Sequence, residues 1–232
     1  MAKLSSFVKW FVMEFYPSRR VGRAVLLEEK LIPRLEEGEI TFFTPWGPRY
    51  SYLERGTTIK PSDKEWLTLD YLSKSMEEIK SHAEWRKVHW IFLAADLYGT
   101  KINGLPEEAV REYFMSLQEA INEIIPQAEF QYWSEYGSIA MPYRASMSEL
   151  IDSGFCQLDT DLLKRAQTTA SKMQRNSDPT EYLMERAIEA MVIEEMYQPI
   201  KLSCVERYKD DKVDLGLPRL YIVPEELTAP WM

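Results

Sequence analysis

Apolar and polar positions follow two alternating rhythms along this chain. Phe7, Phe11 and Phe15 recur every four residues, which predicts an amphipathic first helix. Helical spacing returns from Val25 to Leu35 and stops near Gly38. "EITFFTP" then reads as a strand ended by Pro45. In "PSDKEWLTLDYLSKSMEEIK", Ser62 and Glu65 have capping-box spacing, and Trp66, Leu69, Leu72, Met76 and Ile79 share one face of a predicted helix. Val88 to Ala95 is an almost unbroken apolar run, the pattern of a strand covered on both sides. Pro106 opens a further helix with Val110, Tyr113, Phe114, Leu117, Ile121 and Ile124 inward, and "AEFQYW" follows as a strand. Ser134 to Phe155 carries no strong period and reads as irregular. Two helices are expected between Asp159 and Tyr197, and "IKLSCVE" and "RLYIVPE" supply two last strands around the charged turn "RYKDDKVD".

Strand, helix, buried strand, helix, strand is the order of an α/β protein with a largely parallel sheet flanked by helices. No repeat, low-complexity tract or Gly/Ser/Pro-rich linker divides the chain, so a single domain over 1–232 is expected. Residues 1–37 would pack on the core as N-terminal helices, and 134–158 would form an irregular loop placed to cover a pocket. In parallel sheets of this kind ligands sit beyond the C-terminal ends of the strands. The apolar run "WIFLAADLYGTKING" therefore gains meaning from its aspartate. Asp96 falls where the central strand empties into that crevice, and a buried carboxylate without a partner would be expensive.

Composition narrows the function classes. The 232 residues are 45% hydrophobic and 28% charged, the balance of a folded chain and not of a disordered one. A net charge of −9 argues against broad, charge-driven binding to nucleic acid or to anionic membrane, while leaving room for a small basic pocket. Cys156 and Cys204 are too few for a disulfide scaffold and form no Cys-x-x-Cys pair, which favours a reducing compartment and disfavours a thiolate metal site. The apolar stretch at the N-terminus is short and interrupted by Lys9, unlike a membrane span or a signal peptide. A cytoplasmic protein is the expectation.

The common catalytic signatures are missing: no dinucleotide-binding glycine fingerprint, no phosphate-binding Walker loop, no serine nucleophile elbow. His82 and His89 leave little material for a histidine metal site or a Ser-His-Asp triad, and His89, at the start of the apolar strand, reads as structural. Cys204 reads as a packed thiol.

Four separated stretches, taken in order, resemble the isocyanide (isonitrile) synthase family, also called the pyoverdine and dityrosine biosynthesis family. "ITFFTPWGPRYS" resembles its first strand and two-proline loop, with Pro45, Pro48 and Ser51 matching. "KPSDKEWLTLDYL" resembles its Pro-Asp-x-x-Glu helix start, and "FLAADLYGTKINGLPEEAVREYFMSL" its strand ending in Ser-Asp-Gly followed by a Val-x-x-Tyr-x-x-x-Leu helix. "IKLS" and "APWM" resemble Arg-Leu-Ser and Thr-Pro-Trp-His. The resemblance spans roughly residues 38 to 232 and rests on order and spacing, since each motif is short. The chain departs from the pattern at Tyr50, where the family has lysine beside this chain's Arg49, and at Leu97, where it has glycine. Cys204 and Val205 stand for His-Pro, and Met232 for the final histidine.

The resemblance implies a Rossmann-like α/β fold and an enzyme that converts an amino acid's α-amino group to an isocyanide. Its carbon donor would be a sugar phosphate such as ribulose 5-phosphate, with no metal and no nicotinamide cofactor. On that reading Asp96, Tyr98 and Asp63 are the catalytic candidates, and Arg49, Tyr50, Ser51, Lys201 and Ser203 the substrate-binding ones. Each has a plainer alternative. Asp96 would cap the loop "LYGTKING" through backbone amides, Tyr98 would pack, and Asp63 and Glu65 would serve the helix start. Arg49 suits a phosphate or carboxylate, or the surface; Lys201 supplies a point charge in place of an arginine fork, or lies on a solvated edge. Ser203 would bond a phosphate or only its neighbours, and Trp231 is a packing plug. Arg19, Arg20 and Arg23 cluster in "SRRVGR". They support the first alternative, an aminoacyl-tRNA-dependent transferase of the cyclodipeptide-synthase type, which the overall acidity opposes. The second alternative is a non-catalytic relative that binds a small ligand. The amino acid's side chain and the oligomeric state stay open.

Overall fold

The computed structural model describes residues 39–47, 61–84, 86–153, 178–203 and 219–221, with residues 6, 7, 9, 10, 34, 163, 164 and 167 besides. Strand β1 (Glu39–Trp46) leads to helix α1 (Asp63–His82), then to β2 (Lys87–Ala94) and a π-helical turn (Tyr98–Ile102). Helix α2 (Glu107–Ile124), β3 (Glu129–Tyr132), a 3-10 turn (Trp133–Tyr136) and α3 (Gly137–Asp152) follow. The described chain then continues with α4 (Pro179–Tyr197), β4 (Ile200–Ser203) and β5 (Arg219–Tyr221).

The five strands form one sheet in the order β3-β2-β1-β4-β5, and all four pairings are parallel. β1 and β2 run in full register, from Glu39 opposite Lys87 to Trp46 opposite Ala94. The pleat sends alternate side chains to opposite faces. Ile40, Phe42, Trp46, Trp90 and Phe92 bury against one layer, built by Leu69, Leu72, Met76 and Ile79 of α1 and Val110, Phe114, Leu117 and Ile121 of α2. Phe43, Ile91 and Leu93 face the other way, onto Trp133, Tyr136, Ala140 of α3 and Ile188, Val192, Ile193 of α4. The protein is thus a mixed α/β fold, a parallel sheet with helices on both faces, as its alternating pattern predicted. Each fully buried aliphatic or aromatic side chain in these layers contributes about 1.5–3 kcal/mol, an upper bound for the extended-chain reference.

The chain order creates a crevice. β1, β2 and β3 step outward in one direction; α3 and α4 then return the chain to β4, on the other side of β1. The switch point therefore lies between the C-terminal ends of β1 and β4, where open α/β sheets bind ligands.

Two expectations are corrected. Residues 134–152 are not irregular: Trp133–Tyr136 is a 3-10 turn and Gly137–Asp152 is α-helix, interrupted in sequence by Pro142. The inward stripe of this helix, Ala140, Tyr143 and Met147, is short and semi-polar, and Ile139, Met141 and Leu150 stand exposed off that stripe and blur its period. In α1 the inward face begins with Glu65 and not Trp66. Glu65 is buried with Leu69, Leu72, Met76 and Ile79 at alternating four- and three-residue steps, while Trp66, one position on, is 36% exposed. Among the described residues no helix is long and apolar enough to cross a membrane. Of the N-terminal helices, Phe7 is buried and Trp10 stacks on His82 with ring centroids 3.9 Å apart; Phe11, Phe15 and nearly all of 25–35 lie outside the described residues. The one exception there, Arg34, bonds Glu194 near the end of α4 at 2.5 Å.

Candidate functional site

β2 ends at Ala94, and Asp96 stands two residues beyond it, half-buried. Its Oδ1 accepts the backbone N–H of Ser134 at 3.0 Å, in the 3-10 turn that follows β3. The carboxylate therefore caps a neighbouring segment as well as the start of its own loop at the Leu97 amide, and ties the end of β2 to the turn before α3. Burial pushes the Asp96 carboxyl above its usual range, and the hydrogen bonds from Ser134 only partly offset this. Thr100 closes the turn by donating its hydroxyl to the Asp96 carbonyl at 3.2 Å.

The next residues wind too wide for an α-helix. The Asn103 N–H reaches the Tyr98 carbonyl, five residues back, at 3.0 Å, and Gly104 ends the turn at φ +66°, a conformation that glycine adopts without strain. Single π-helical turns of this kind recur at functional sites. Here the turn drives Tyr98 into the second core layer, where its ring meets Tyr182 edge-on at 5.8 Å and lies under the Arg186 guanidinium at 5.7 Å. Burial, reinforced by the Glu189 carboxylate, raises the Tyr98 hydroxyl well above its ordinary pKa, so the phenol stays protonated.

Around Tyr98 runs an ionic network that the periodicity of the sequence did not single out. Arg186 donates to Glu189 Oε1 at 2.8 Å, and Arg144 of α3 grips Glu185 of α4 in bidentate fashion, its Nε on Oε2 at 2.9 Å. Trp133 Nε1 joins the same carboxylate at 2.6 Å. Tyr182, Arg186, Glu189 and Ile193 are spaced four, three and four residues apart, the inward stripe of α4. Two charged residues on a stripe that burial should reserve for apolar side chains are the signal that sequence reasoning could have used.

A second buried network lies at the end of β1, in the first core layer. Tyr113 Oη accepts Trp46 Nε1 at 3.0 Å and donates to Glu65 Oε1 at 2.5 Å, and Glu65 Oε2 accepts the Ser62 N–H at 2.6 Å. Glu65 therefore does more than serve the helix start. It locks the N-terminus of α1 and the side chain of α2 to the last residue of β1.

The remaining candidates divide. Asp63 is the first residue of α1, exposed, at the strand-end side of the sheet, and no described contact joins it to Asp96. Lys201 pairs in the sheet with Phe43 and Arg219, and Ser203 ends β4 opposite Tyr221; both belong to the strand that flanks the switch point. Arg49, Tyr50 and Ser51, which follow β1 in the sequence, lie outside the described residues, as do Cys156, Trp231 and residues 204–218. The structure thus brings Asp96 and Tyr98 to one strand end, and the topology carries β1 and β4 to the same edge. His89 sits at the opposite edge, 3.3 Å from Glu39 and 3.8 Å from Glu129, a structural position. Among the described residues no three His, Cys, Asp or Glu side chains gather to hold a metal ion.

No protein-family model and no curated protein matches the sequence. Among solved structures, the chain is similar to the crystal structure of the PvcA protein from Pseudomonas aeruginosa, at 13% identity and a TM-score of 0.63. The match covers 99% of this chain and 87% of that one, so the two share a fold over nearly their whole lengths.

Proposed function

We propose that this chain is an isocyanide-synthase-like enzyme of Rossmann type, acting on an amino acid with a sugar phosphate such as ribulose 5-phosphate as carbon donor. The observation that carries the reading is Asp96: a half-buried carboxyl, raised in pKa, beyond the end of the strand beside β1. Condensing an amine with a ketose carbonyl forms a C–N bond and expels water, so the amine must lose protons and the departing oxygen gain them. A carboxyl tuned upward can take and return such protons, with efficiency that rises as its pKa approaches the working pH. Its tether to the Ser134 amide would hold the group in one place.

Three further points support the reading. The fold shared with PvcA, a protein of the family whose motifs the chain resembles, fits that family's architecture. The strand order β3-β2-β1-β4-β5 supports a Rossmann-like reading, because it matches the first five positions of the order 3-2-1-4-5-6. The strand that carries Lys201 and Ser203 flanks the switch point, and Arg49, Tyr50 and Ser51 follow β1 in the sequence; these residue types would offer a phosphate cationic and hydroxyl donors.

The test is mass spectrometry of purified protein with pooled amino acids and ribulose 5-phosphate. The expected result is a product with one added carbon, dependent on both substrates and lost in Asp96→Asn. No product, beside an active family enzyme, would leave the fold standing and turn the reading toward a non-catalytic ligand-binding relative.

A further inference from the structure

We propose that Ser134 is the positioning residue of this strand end: its amide and its hydroxyl hold the Asp96 carboxyl in place and keep it able to act as a base. The inference rests on the carbon-transfer reading and adds a residue to the same site. Ser134 meets Asp96 because β2 and β3 are parallel neighbours whose C-terminal ends coincide, with Ala94 opposite Tyr132. The Ser134 N–H donates to Asp96 Oδ1 at 3.0 Å, and the hydroxyl is a second donor to the same carboxyl. Ser134 is exposed and Asp96 half-buried, so the pair borders solvent.

Two influences on Asp96 oppose each other. Burial disfavours the carboxylate, while the hydrogen bonds offered to it favour the carboxylate, those of Ser134 most and that of the Leu97 amide after them. Burial alone would hold the proton on to higher pH, and a protonated carboxyl cannot take a proton from an ammonium. The donors therefore decide over what pH range Asp96 can serve as a base. The titratable neighbours leave this role to Ser134. Tyr132, at the end of β3, is a phenol that burial and Asp96 itself keep protonated, and it donates its hydroxyl to Gln118 at 3.2 Å. Glu135 of the 3-10 turn faces the Tyr132 N–H at 3.3 Å. Ser134 is itself held from behind. Trp133, fully buried, donates Nε1 to Glu185 of α4 at 2.6 Å, and Arg144 of α3 grips that carboxylate. The turn is thus fixed on both helices, and its donors stay aimed at Asp96.

The experiment is a pH titration of the full chain carrying carbon-13 at its aspartate carboxyls, with the Asp96 signal assigned through Asp96→Asn. Ser134 is exposed, so its variants should fold. In Ser134→Ala the Asp96 carboxyl should titrate at higher pH than in wild type, and Ser134→Thr, which keeps a hydroxyl, should restore it. The ascending limb of the pH–rate profile with amino acid and ribulose 5-phosphate should move the same way. Ser134→Ala should lose several-fold in kcat/KM on that limb and little on the plateau. An Asp96 titration unmoved in Ser134→Ala, or one that Ser134→Thr fails to restore, would overturn the proposal. So would a loss of activity equal at every pH, the mark of a turn that is merely structural. A displaced titration in a protein that transfers no carbon would sink the carbon-transfer reading instead, and leave the hold of Ser134 on Asp96 standing.

Discussion

The buried Glu65–Tyr113–Trp46 chain makes a quantitative prediction. Tyr113→Phe keeps the ring and the volume that fills the first core layer and deletes one oxygen, so hydrophobic packing stays nearly constant. That oxygen ends two hydrogen bonds, 3.0 Å from Trp46 Nε1 and 2.5 Å to the Glu65 carboxylate. A neutral bond contributes about 0.5–1.5 kcal/mol and one to a charged group about 1.5–3 kcal/mol, so the loss should be about 3 kcal/mol. With an m-value of about 3 kcal/mol/M for a chain of this size, the urea midpoint should fall by about 1 M at unchanged slope. Glu65→Gln keeps the shape but cannot accept both from Ser62 and from Tyr113. It should destabilise as well, and the double variant should lose less than the sum of the singles, because the two share one bond. A midpoint shift under about 0.2 M for Tyr113→Phe, or full additivity, would refute the claim that this chain of bonds ties α1 and α2 to the end of β1.

Three other outcomes follow from the same geometry. Asp96→Asn keeps an acceptor for the Ser134 amide and removes a charge that burial disfavours. A carboxyl raised in the folded state contributes its stability below the ordinary carboxylate range and loses it as pH rises through the raised value. The melting temperature of Asp96→Asn should therefore match wild type in acid and exceed it at neutral pH; a variant less stable at neutral pH would make Asp96 a structural cap. Trp66→Gln, at a position 36% exposed, should change stability by no more than about 0.5 kcal/mol, which urea unfolding reads directly. Arg144→Leu, at a guanidinium 30% exposed, leaves the Glu185 carboxylate with Trp133 Nε1 but no cation and should cost about 2 kcal/mol, discounted for partial solvation, with a change in tryptophan emission from Trp133.

The fold was largely legible because strongly periodic segments announce themselves. β2 is a run of apolar residues buried on both faces, and α2 shows an unbroken stripe from Val110 to Ile121, so the pattern and the physics coincide. Helix α3 escaped because only Ala140 of its residues is fully buried and Pro142 stands inside it, leaving no clean stripe to read. The Trp66 expectation failed for a different reason. Hydrophobicity alone favours tryptophan inward, but Glu65 has a phenol and a backbone amide waiting, and a carboxylate so satisfied can take the inward position. Strand-end logic also puts Asp96 and Tyr98 beyond the end of β2, where the structure has them. Their partners, the Ser134 amide and the Arg186–Glu189 pair, come from segments 38 and about 90 residues away, and no local pattern encodes such meetings.

The central claim is that this sheet end performs carbon transfer to an amine. Uniformly carbon-13-labelled ribulose 5-phosphate, incubated with the protein and unlabelled amino acids, tests it most directly. The account predicts a product in which a single labelled carbon has joined the amino nitrogen, formed by wild type and not by Asp96→Asn. An unlabelled product, or label incorporated equally by both proteins, would contradict it.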